Sequence, residues 1–156
     1  MEADQKDGLP EWQAGVTAIL DTNVIIRHLT GEPIDQGQAA SRFLADSASL
    51  VLTDVVAAET VYVLQSVYKT PRPVIATALR ALVAMRTVTA ERPQIIRRSI
   101  DLFELQGMDF TDAYLVAFAE VHGVPRVASF DRGIDKAAGT ASAIERLDPL
   151  EGAAES

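Results

Sequence analysis

The sequence predicts an α/β domain with a mainly parallel central sheet flanked by helices. Short, unbroken apolar runs alternate along the chain with longer segments of helical apolar spacing, and alternation of strands with helices favours a parallel sheet. The chain has 156 residues, 48% of them hydrophobic, so one well-buried core can form. Glycine and proline are few, at 9 and 7 residues, which excludes disorder for the bulk of the chain.

The elements predicted in the first half of the chain are, in order, strand Val16–Leu20, helix Thr22–Thr30, helix Gln36–Ser47, strand Leu50–Leu52 and a helix from Asp54 to about Tyr68. The runs VTAIL and LVL are continuously apolar, which is typical of buried strands. Gly31 ends the first helix. Thr53 or Asp54 caps the last of these helices, because short polar side chains favour that position.

The elements predicted in the second half are a helix from Pro71 to about Met85, strand Arg86–Thr89, helix Pro93–Gln106, helix Thr111–His122, strand Arg126–Ser129, a short helix Asp131–Ala137 and strand Ile144–Leu147. Pro71 and Pro73 end the preceding helix and open the next, because proline suits the first helical turn. Gly107 and Gly123 follow two of the helices, and glycine suits the left-handed position just past a helix end.

Composition excludes several kinds of site. The chain has no cysteine, so disulfides, thiolate nucleophiles and sulfur-bound metals are absent. No apolar run approaches the roughly 18–20 residues of a membrane-spanning helix, and the acidic start of the chain lacks the apolar segment of a signal peptide. We expect a cytoplasmic protein without membrane contact, with an acidic leader at residues 1–14, one domain at 15–147 and a flexible tail at 148–156.

Two acidic residues directly follow predicted strands. Asp21 follows VTAIL, and Asp131 follows RVASF. In parallel α/β folds the ligand crevice lies beyond the carboxyl ends of the strands, so these carboxylates are well placed for chemistry. Alternatively, each of them is a helix N-cap, which is a common role for Asp.

Two further acids lie on apolar helices. Glu59 is the one charged residue in the apolar stretch from Val55 to Leu64, so we expect it to be buried and to need a partner, either in the site or an arginine. Asp112 begins the apolar helix TDAYLVAFA, where the helix dipole alone favours an acid. Asp109, three residues earlier, is an alternative for the same role.

These four carboxylates predict one shared metal site. Clustered carboxylates repel one another and raise each other's pKa unless a cation neutralises them. Mg²⁺ or Mn²⁺ suits oxygen ligands, and such an ion activates water and stabilises charge on a phosphate. We therefore expect the side chains of Asp21, Glu59, Asp112 and Asp131 to converge.

Four motifs in this order resemble the PIN domain family, especially its VapC-type ribonuclease toxins. The motifs are LDTNVI with Asp21, AAETVYVL with Glu59, DFTDAYLVAFA with Asp112 and ASFDRGID with Asp131. They extend from Ile19 to Asp135, which is nearly the whole predicted domain. The resemblance implies a three-layer fold with a mainly parallel central sheet between helices.

The resemblance also implies a function. The four acids would bind Mg²⁺ or Mn²⁺ and activate water for hydrolysis of RNA phosphodiester bonds, while Asn23 and Ser129 would support them by hydrogen bonding. Members of this kind usually form homodimers and are silenced by an antitoxin protein. The chain is therefore expected to be the toxin of a toxin–antitoxin pair.

A basic segment lies between Thr60 and Ile100, although the net charge of the whole chain is −8. Its basic residues are Lys69, Arg72, Arg80, Arg86, Arg92, Arg97 and Arg98, against Glu91 as its one acid. We expect Arg72, Arg80, Arg86, Arg97 and Arg98 to contact RNA. The alternative is that they are solvated arginines on helix faces.

Two other functions compete with this one. A haloacid-dehalogenase-like phosphohydrolase also has an Asp after its first strand, but the position of its second Asp is occupied here by Asn23, which cannot serve as the acid. A non-catalytic PIN-like module that binds RNA or protein is the main alternative, although such a module has no reason to keep four repelling carboxylates. Metal-dependent cleavage of RNA distinguishes the nuclease from the non-catalytic module.

Overall fold

The computed structural model describes residues 15–137 and 142–152. The strands are β1 (Ala18–Ile19), β2 (Leu50–Leu52), β3 (Val88–Ala90), β4 (Arg126–Ala128) and β5 (Glu145–Leu147). The helices are α1 (Thr22–Thr30), α2 (Ile34–Asp46), α3 (Asp54–Ser66), α4 (Arg72–Ala84), α5 (Pro93–Leu105), α6 (Phe110–His122) and α7 (Pro149–Gly152), and a 3₁₀ helix spans Arg132–Ala137. The predicted leader, 1–14, lies outside the described residues.

The chain forms two compact units. The first contains residues up to Thr60 together with Leu82–Glu91, and the second contains Val61–Ala81 and the residues from Arg92 onward. Parallel strands and helices make up both units, so the predicted helix-rich α/β class with a parallel sheet is confirmed. The strands form two sheets, β1-β2-β3 and β4-β5, whereas the sequence predicted one.

The first unit is built on the three-stranded sheet. All of its pairings are parallel, with Ile19 opposite Val51 and Leu52 opposite Ala90. The central strand β2 is fully buried, as its continuous run of apolar residues predicts. Helices α1 and α2 pack against each other in the same unit. The sheet thereby directs the start of α1, with Asp21, to the carboxyl end of β1.

The second unit is dominated by the packing of α5 against α6. Its core includes Phe103 and Phe110, whose rings meet edge to face at 6.1 Å between centroids. Strands β4 and β5 form a parallel pair, with Val127 opposite Arg146. The 3₁₀ helix follows β4 and contacts α6, so the start of α6 and the loop after β4 lie side by side.

Element boundaries differ from the predictions mainly at the ends of strands. The apolar run Val16–Leu20 contributes only two residues to β1, because only that part pairs with β2. Residues Pro149–Gly152, predicted within a flexible tail, form the short helix α7. None of the helices in the described part of the chain has the length and apolar character needed to span a membrane.

Candidate functional site

Three aspartates form a cluster in the second unit. Carboxylate oxygens of Asp109, Asp112 and Asp131 lie within 4.8 Å of one another. Asp109 occupies the N-cap position of α6, Asp112 lies in the first turn of the same helix, and Asp131 follows β4. The structure thus brings together two of the four predicted acids, Asp112 and Asp131, and adds Asp109, which the sequence left as an alternative to Asp112.

Local hydrogen bonds fix the loop that carries Asp131. The amide of Asp131 donates to the Ser129 hydroxyl oxygen at 2.9 Å, and the Asp131 Oδ1 accepts from the amide of Gly133 at 2.7 Å. A short side chain that bonds to its own backbone two residues on stabilises a tight turn. Ser129, predicted to support the site by hydrogen bonding, therefore contacts the backbone of Asp131.

Gly133 leaves the space that the two carboxylates occupy. A Cβ atom at this position would lie 2.6 Å from the Asp112 Oδ2 and 3.1 Å from the Asp131 Oδ1. Any side chain here would have to displace these oxygens. No sequence pattern singled out Gly133, which stands two residues after Asp131 in ASFDRGID.

The surroundings of Asp112 disfavour the ionised form of its carboxyl group. Burial raises the pKa of its carboxyl group, and the negative charges of Asp131 and Asp109 raise it further, together with the hydrogen bond that the protonated Asp112 carboxyl donates to Asp131; the positive charge of Lys136 opposes them. Repulsion among close carboxylates is relieved by a cation. Asp109 occupies the N-cap position of α6, but its side chain makes no capping hydrogen bond. Helix capping therefore does not explain why an acid stands beside Asp112.

The donor set suits a hard divalent cation. The ligand atoms that Asp109, Asp112 and Asp131 bring together are carboxylate oxygens, and such oxygens are preferred by Mg²⁺ and Mn²⁺ over softer metals. The absence of a side chain at Gly133 keeps the approach to two of them open. Asp109, Asp112 and Asp131 could therefore hold a metal ion, with Asp112 gaining most from the added positive charge.

The other two predicted acids lie in the first unit. Asp21 is exposed and precedes α1, but its side chain makes no hydrogen bond to the start of that helix. Simple N-capping therefore does not account for it. The next residue, Thr22, is buried, and its hydroxyl donates to the Glu59 Oε2 at 2.7 Å. This bond ties Glu59 to the segment immediately after β1, and sequence reasoning missed it.

The prediction that Glu59 is buried was wrong. Glu59 is exposed, as are Val55 and Tyr62 on the same side of α3, at 76% and 69%. Residues spaced by three or four positions share one face of a helix. One face of α3 is therefore exposed, although most of its residues are apolar. Asn23 is also exposed, and it lines a cleft between α1 and α2 with Val24 and Phe43.

A sequence profile of the PIN domain matches residues 18–140. The chain belongs to the PIN domain family. The matched segment contains all four predicted acids and strands β1 to β4. A comparison with curated proteins finds no match.

Membership has consequences for function. PIN domains are nuclease-type domains that generally depend on divalent metal ions. The acidic cluster of this PIN domain has the ligand chemistry for such an ion. Family and geometry thus agree on a nuclease-type function that uses a metal.

The five arginines predicted to contact RNA fall into two groups. Arg80 and Arg98 form ion pairs within the chain, Arg80 with Asp101 and Glu104 and Arg98 with Glu120. Arg72 is likewise engaged, through backbone carbonyls. Arg86 and Arg97 are exposed, and within the described part of the chain neither forms an ion pair. Of the five arginines predicted to contact RNA, these two therefore keep a guanidinium group that is open to a ligand phosphate.

Proposed function

We propose that this PIN domain is a metal-dependent endoribonuclease that hydrolyses RNA phosphodiester bonds. The proposed catalytic acids are Asp21, Glu59, Asp112 and Asp131, with Mg²⁺ or Mn²⁺ as the cofactor and Asp109 beside Asp112 in the acidic cluster. The observation that carries the proposal is the convergence of the Asp112 and Asp131 carboxylates beside Gly133, in a chain that belongs to a nuclease-type family.

Each acid has a proposed role that its surroundings support. Asp112 and Asp131 supply the converging oxygens. Asp21 offers a carboxylate that its own helix does not use, and Glu59 is oriented by the Thr22 hydroxyl. Ser129 holds the Asp131 backbone. Asn23 is exposed in the first turn of α1, and its proposed role is to support the acids by hydrogen bonding.

The chemistry follows from the donor set. When bound, a divalent cation stabilises developing charge on the phosphate and promotes deprotonation of water near neutral pH. The chain's own task is to keep its carboxylates ionised, oriented and close, so that the cation and the substrate are positioned together. The hydrogen bonds to the Glu59 carboxylate and the Asp131 loop serve that orientation.

The proposed RNA contacts involve Arg86 and Arg97. Exposed guanidinium groups bind phosphates well because they offer a planar set of donors and a permanent charge. The acidic net charge of −8 makes such local positive groups necessary for a polyanionic substrate. The non-catalytic alternative, a module that only binds RNA or protein, shares these contacts and is separated from the nuclease by the assay below.

We further propose that the protein acts in the cytoplasm as a VapC-type toxin, as a homodimer controlled by an antitoxin. The motif order supports this assignment. Exposed apolar side chains on α6 support a protein partner, since Leu115, Phe118 and Val121 are 40%, 36% and 45% exposed. Adjacent apolar residues on one surface are typical of interaction sites. Size-exclusion chromatography with light scattering tests the dimer directly.

Nuclease activity is tested on the purified chain. A mixture of single-stranded and structured RNAs is incubated with Mg²⁺, with Mn²⁺ or with EDTA, and products are resolved on a denaturing gel. We expect cleavage with either metal and none with EDTA. Binding of RNA without cleavage under any metal condition would support the non-catalytic module and contradict the proposal.

A further inference from the structure

Arg72 holds both ends of the turn between α5 and α6. Its Nη1 donates to the carbonyl oxygen of Phe103 at 2.9 Å and to that of Met108 at 2.6 Å. Its Nη2 lies 3.9 Å from the Asp109 Oδ1. The guanidinium group also lies over the Phe103 ring, 4.4 Å from the centroid. One side chain thus contacts the last turn of α5 and the two residues that precede α6.

These contacts have a clear physical purpose. The carbonyl of Phe103 is among the last four of α5, which have no partner within the helix, and a cation at a helix C-terminus also interacts favourably with the dipole. The carbonyl of Met108 directly precedes Asp109. Phe103 and Met108 are fully buried, so the anchor for this turn is rigid.

The turn decides where two of the clustered acids lie. Asp109 ends it, and Asp112 stands one helical turn later on α6. Between the two anchored carbonyls is Gly107, which has a left-handed backbone with φ of 64°. Lys136 adds a second tie, since its Nζ donates to the Gly107 carbonyl at 3.2 Å. Without Arg72, the Gly107 carbonyl would keep its bond to Lys136, but the carbonyls of Phe103 and Met108 would lose the donor that they share.

We propose that Arg72 is a positioning residue for the metal site, acting through the α5–α6 turn rather than by contact with RNA. This inference rests on the proposed function. It also replaces the expectation that Arg72 binds substrate, because the Arg72 guanidinium group already contacts two carbonyls, a ring and a carboxylate of the same chain. Groups that orient metal ligands change metal affinity by about 10–100-fold when they are removed.

The test compares three variants by their response to Mn²⁺ in the absence of RNA. Arg72→Met keeps the apolar stem over Phe103 but removes both hydrogen bonds. Arg72→Lys keeps the charge but loses the planar, stacked guanidinium that reaches two carbonyls. Arg80→Met is the matched control, since Arg80 also lies on α4 and pairs with α5, through Asp101 and Glu104, without touching the turn.

Melting temperature is measured over a Mn²⁺ titration. The readout is the Mn²⁺ concentration, here called the midpoint, that raises the melting temperature by half of the increase that wild type shows at the highest concentration used. We expect this concentration to rise about 10-fold or more in Arg72→Met and Arg72→Lys, and to stay at the wild-type value in Arg80→Met. If Arg72→Met does not fold, Arg72→Lys alone decides. A wild-type midpoint in the folded Arg72 variants would overturn the inference.

The RNA-contact alternative gives a different pattern. In that case Arg72→Lys would keep the wild-type Mn²⁺ midpoint, and Arg72→Met would lower the salt dependence of RNA binding, because fewer counter-ions would be released. That outcome would overturn the positioning role while leaving the proposed nuclease intact. Failure of the proposed function is distinguishable, since wild-type protein itself would then show no stabilisation by Mn²⁺ and no RNA cleavage.

Discussion

Replacing Asp112 by Asn tests whether the acidic cluster exists to hold a cation. In metal-free protein, Asp112→Asn removes repulsion from two carboxylates whose oxygens lie within 4.8 Å. At that distance two unit charges repel by about 1 kcal/mol in water, and physiological salt roughly halves the value. Lost interaction with the helix dipole costs about 0.3–1 kcal/mol. The two repulsions together come to about 1 kcal/mol in salt, so the metal-free variant should be as stable as wild type, or more stable by up to about 0.7 kcal/mol.

The pH dependence of this difference has a fixed sign. The pKa of Asp112 is raised above 3.8 in the folded protein, so folded wild type holds this proton more tightly than the unfolded chain does. Its metal-free stability consequently falls as pH rises from 3.8 through the folded pKa. The Asn variant has no such proton. Its relative advantage should be absent in acid and reach its full value at neutral pH.

Metal reverses the order of stability. At a free metal concentration about 100 times the dissociation constant, binding stabilises the folded protein by about 2.7 kcal/mol. For a chain of this length that corresponds to a melting temperature about 5–11 °C higher. Wild type should show this increase with Mg²⁺ or Mn²⁺ at pH 7, and Asp112→Asn should show only a small part of it.

Differential scanning fluorimetry with EDTA, Mg²⁺ or Mn²⁺ measures these effects. Asp35→Asn is a matched control, because Asp35 also lies in the first turn of a helix of 13 residues but is outside the cluster. This control should keep the wild-type metal response. An equal metal response in Asp112→Asn and wild type would show that Asp112 does not help to hold the cation. The same conclusion would follow if metal-free Asp112→Asn were destabilised by more than Asp35→Asn.

Three further variants have defined outcomes. Gly133→Ala should leave the metal-free melting temperature within a few degrees of wild type, since a carboxylate end can move aside, but should sharply reduce stabilisation by Mn²⁺; an unchanged response would show that the cluster tolerates a methyl group. Thr22→Val should lower RNA cleavage by loosening Glu59 at a stability cost of about 1 kcal/mol, and wild-type rates would argue against that role. Replacing Arg86 and Arg97 with Gln should lower the slope of RNA affinity against salt by about one unit per phosphate contact, measured by fluorescence anisotropy, whereas an unchanged slope would return both to solvated surface residues.

Sequence patterns predicted local elements well where the signal is itself local. The run LVL gives β2 at Leu50–Leu52 as predicted. Gly31 ends α1 in the left-handed conformation with its amide bonded to the Arg27 carbonyl, which is the backbone role that glycine fills at little cost. Four motifs in order were enough to identify the family, and the match over residues 18–140 confirms it.

Sequence patterns failed where the answer depends on distant partners. The acceptors of Arg72 are 31 and 36 residues away along the chain, so no spacing rule reveals that this arginine is already engaged. The exposure of Glu59 depends on which side of α3 is covered, and an apolar helix alone does not specify that side. The place of Asp109 in the cluster depends on how the α5–α6 turn is held.

We propose that Asp21 and Asp112 are both needed for metal-dependent cleavage of RNA. A direct test is the rate of RNA cleavage in Mn²⁺ by Asp21→Asn and Asp112→Asn, measured beside wild type and Asp35→Asn. Loss of a metal ligand should cost at least the roughly 100-fold seen at the upper end for groups that merely orient ligands. We predict such a loss in both variants and a wild-type rate in Asp35→Asn. Cleavage at the wild-type rate by either Asp21→Asn or Asp112→Asn would contradict the claim.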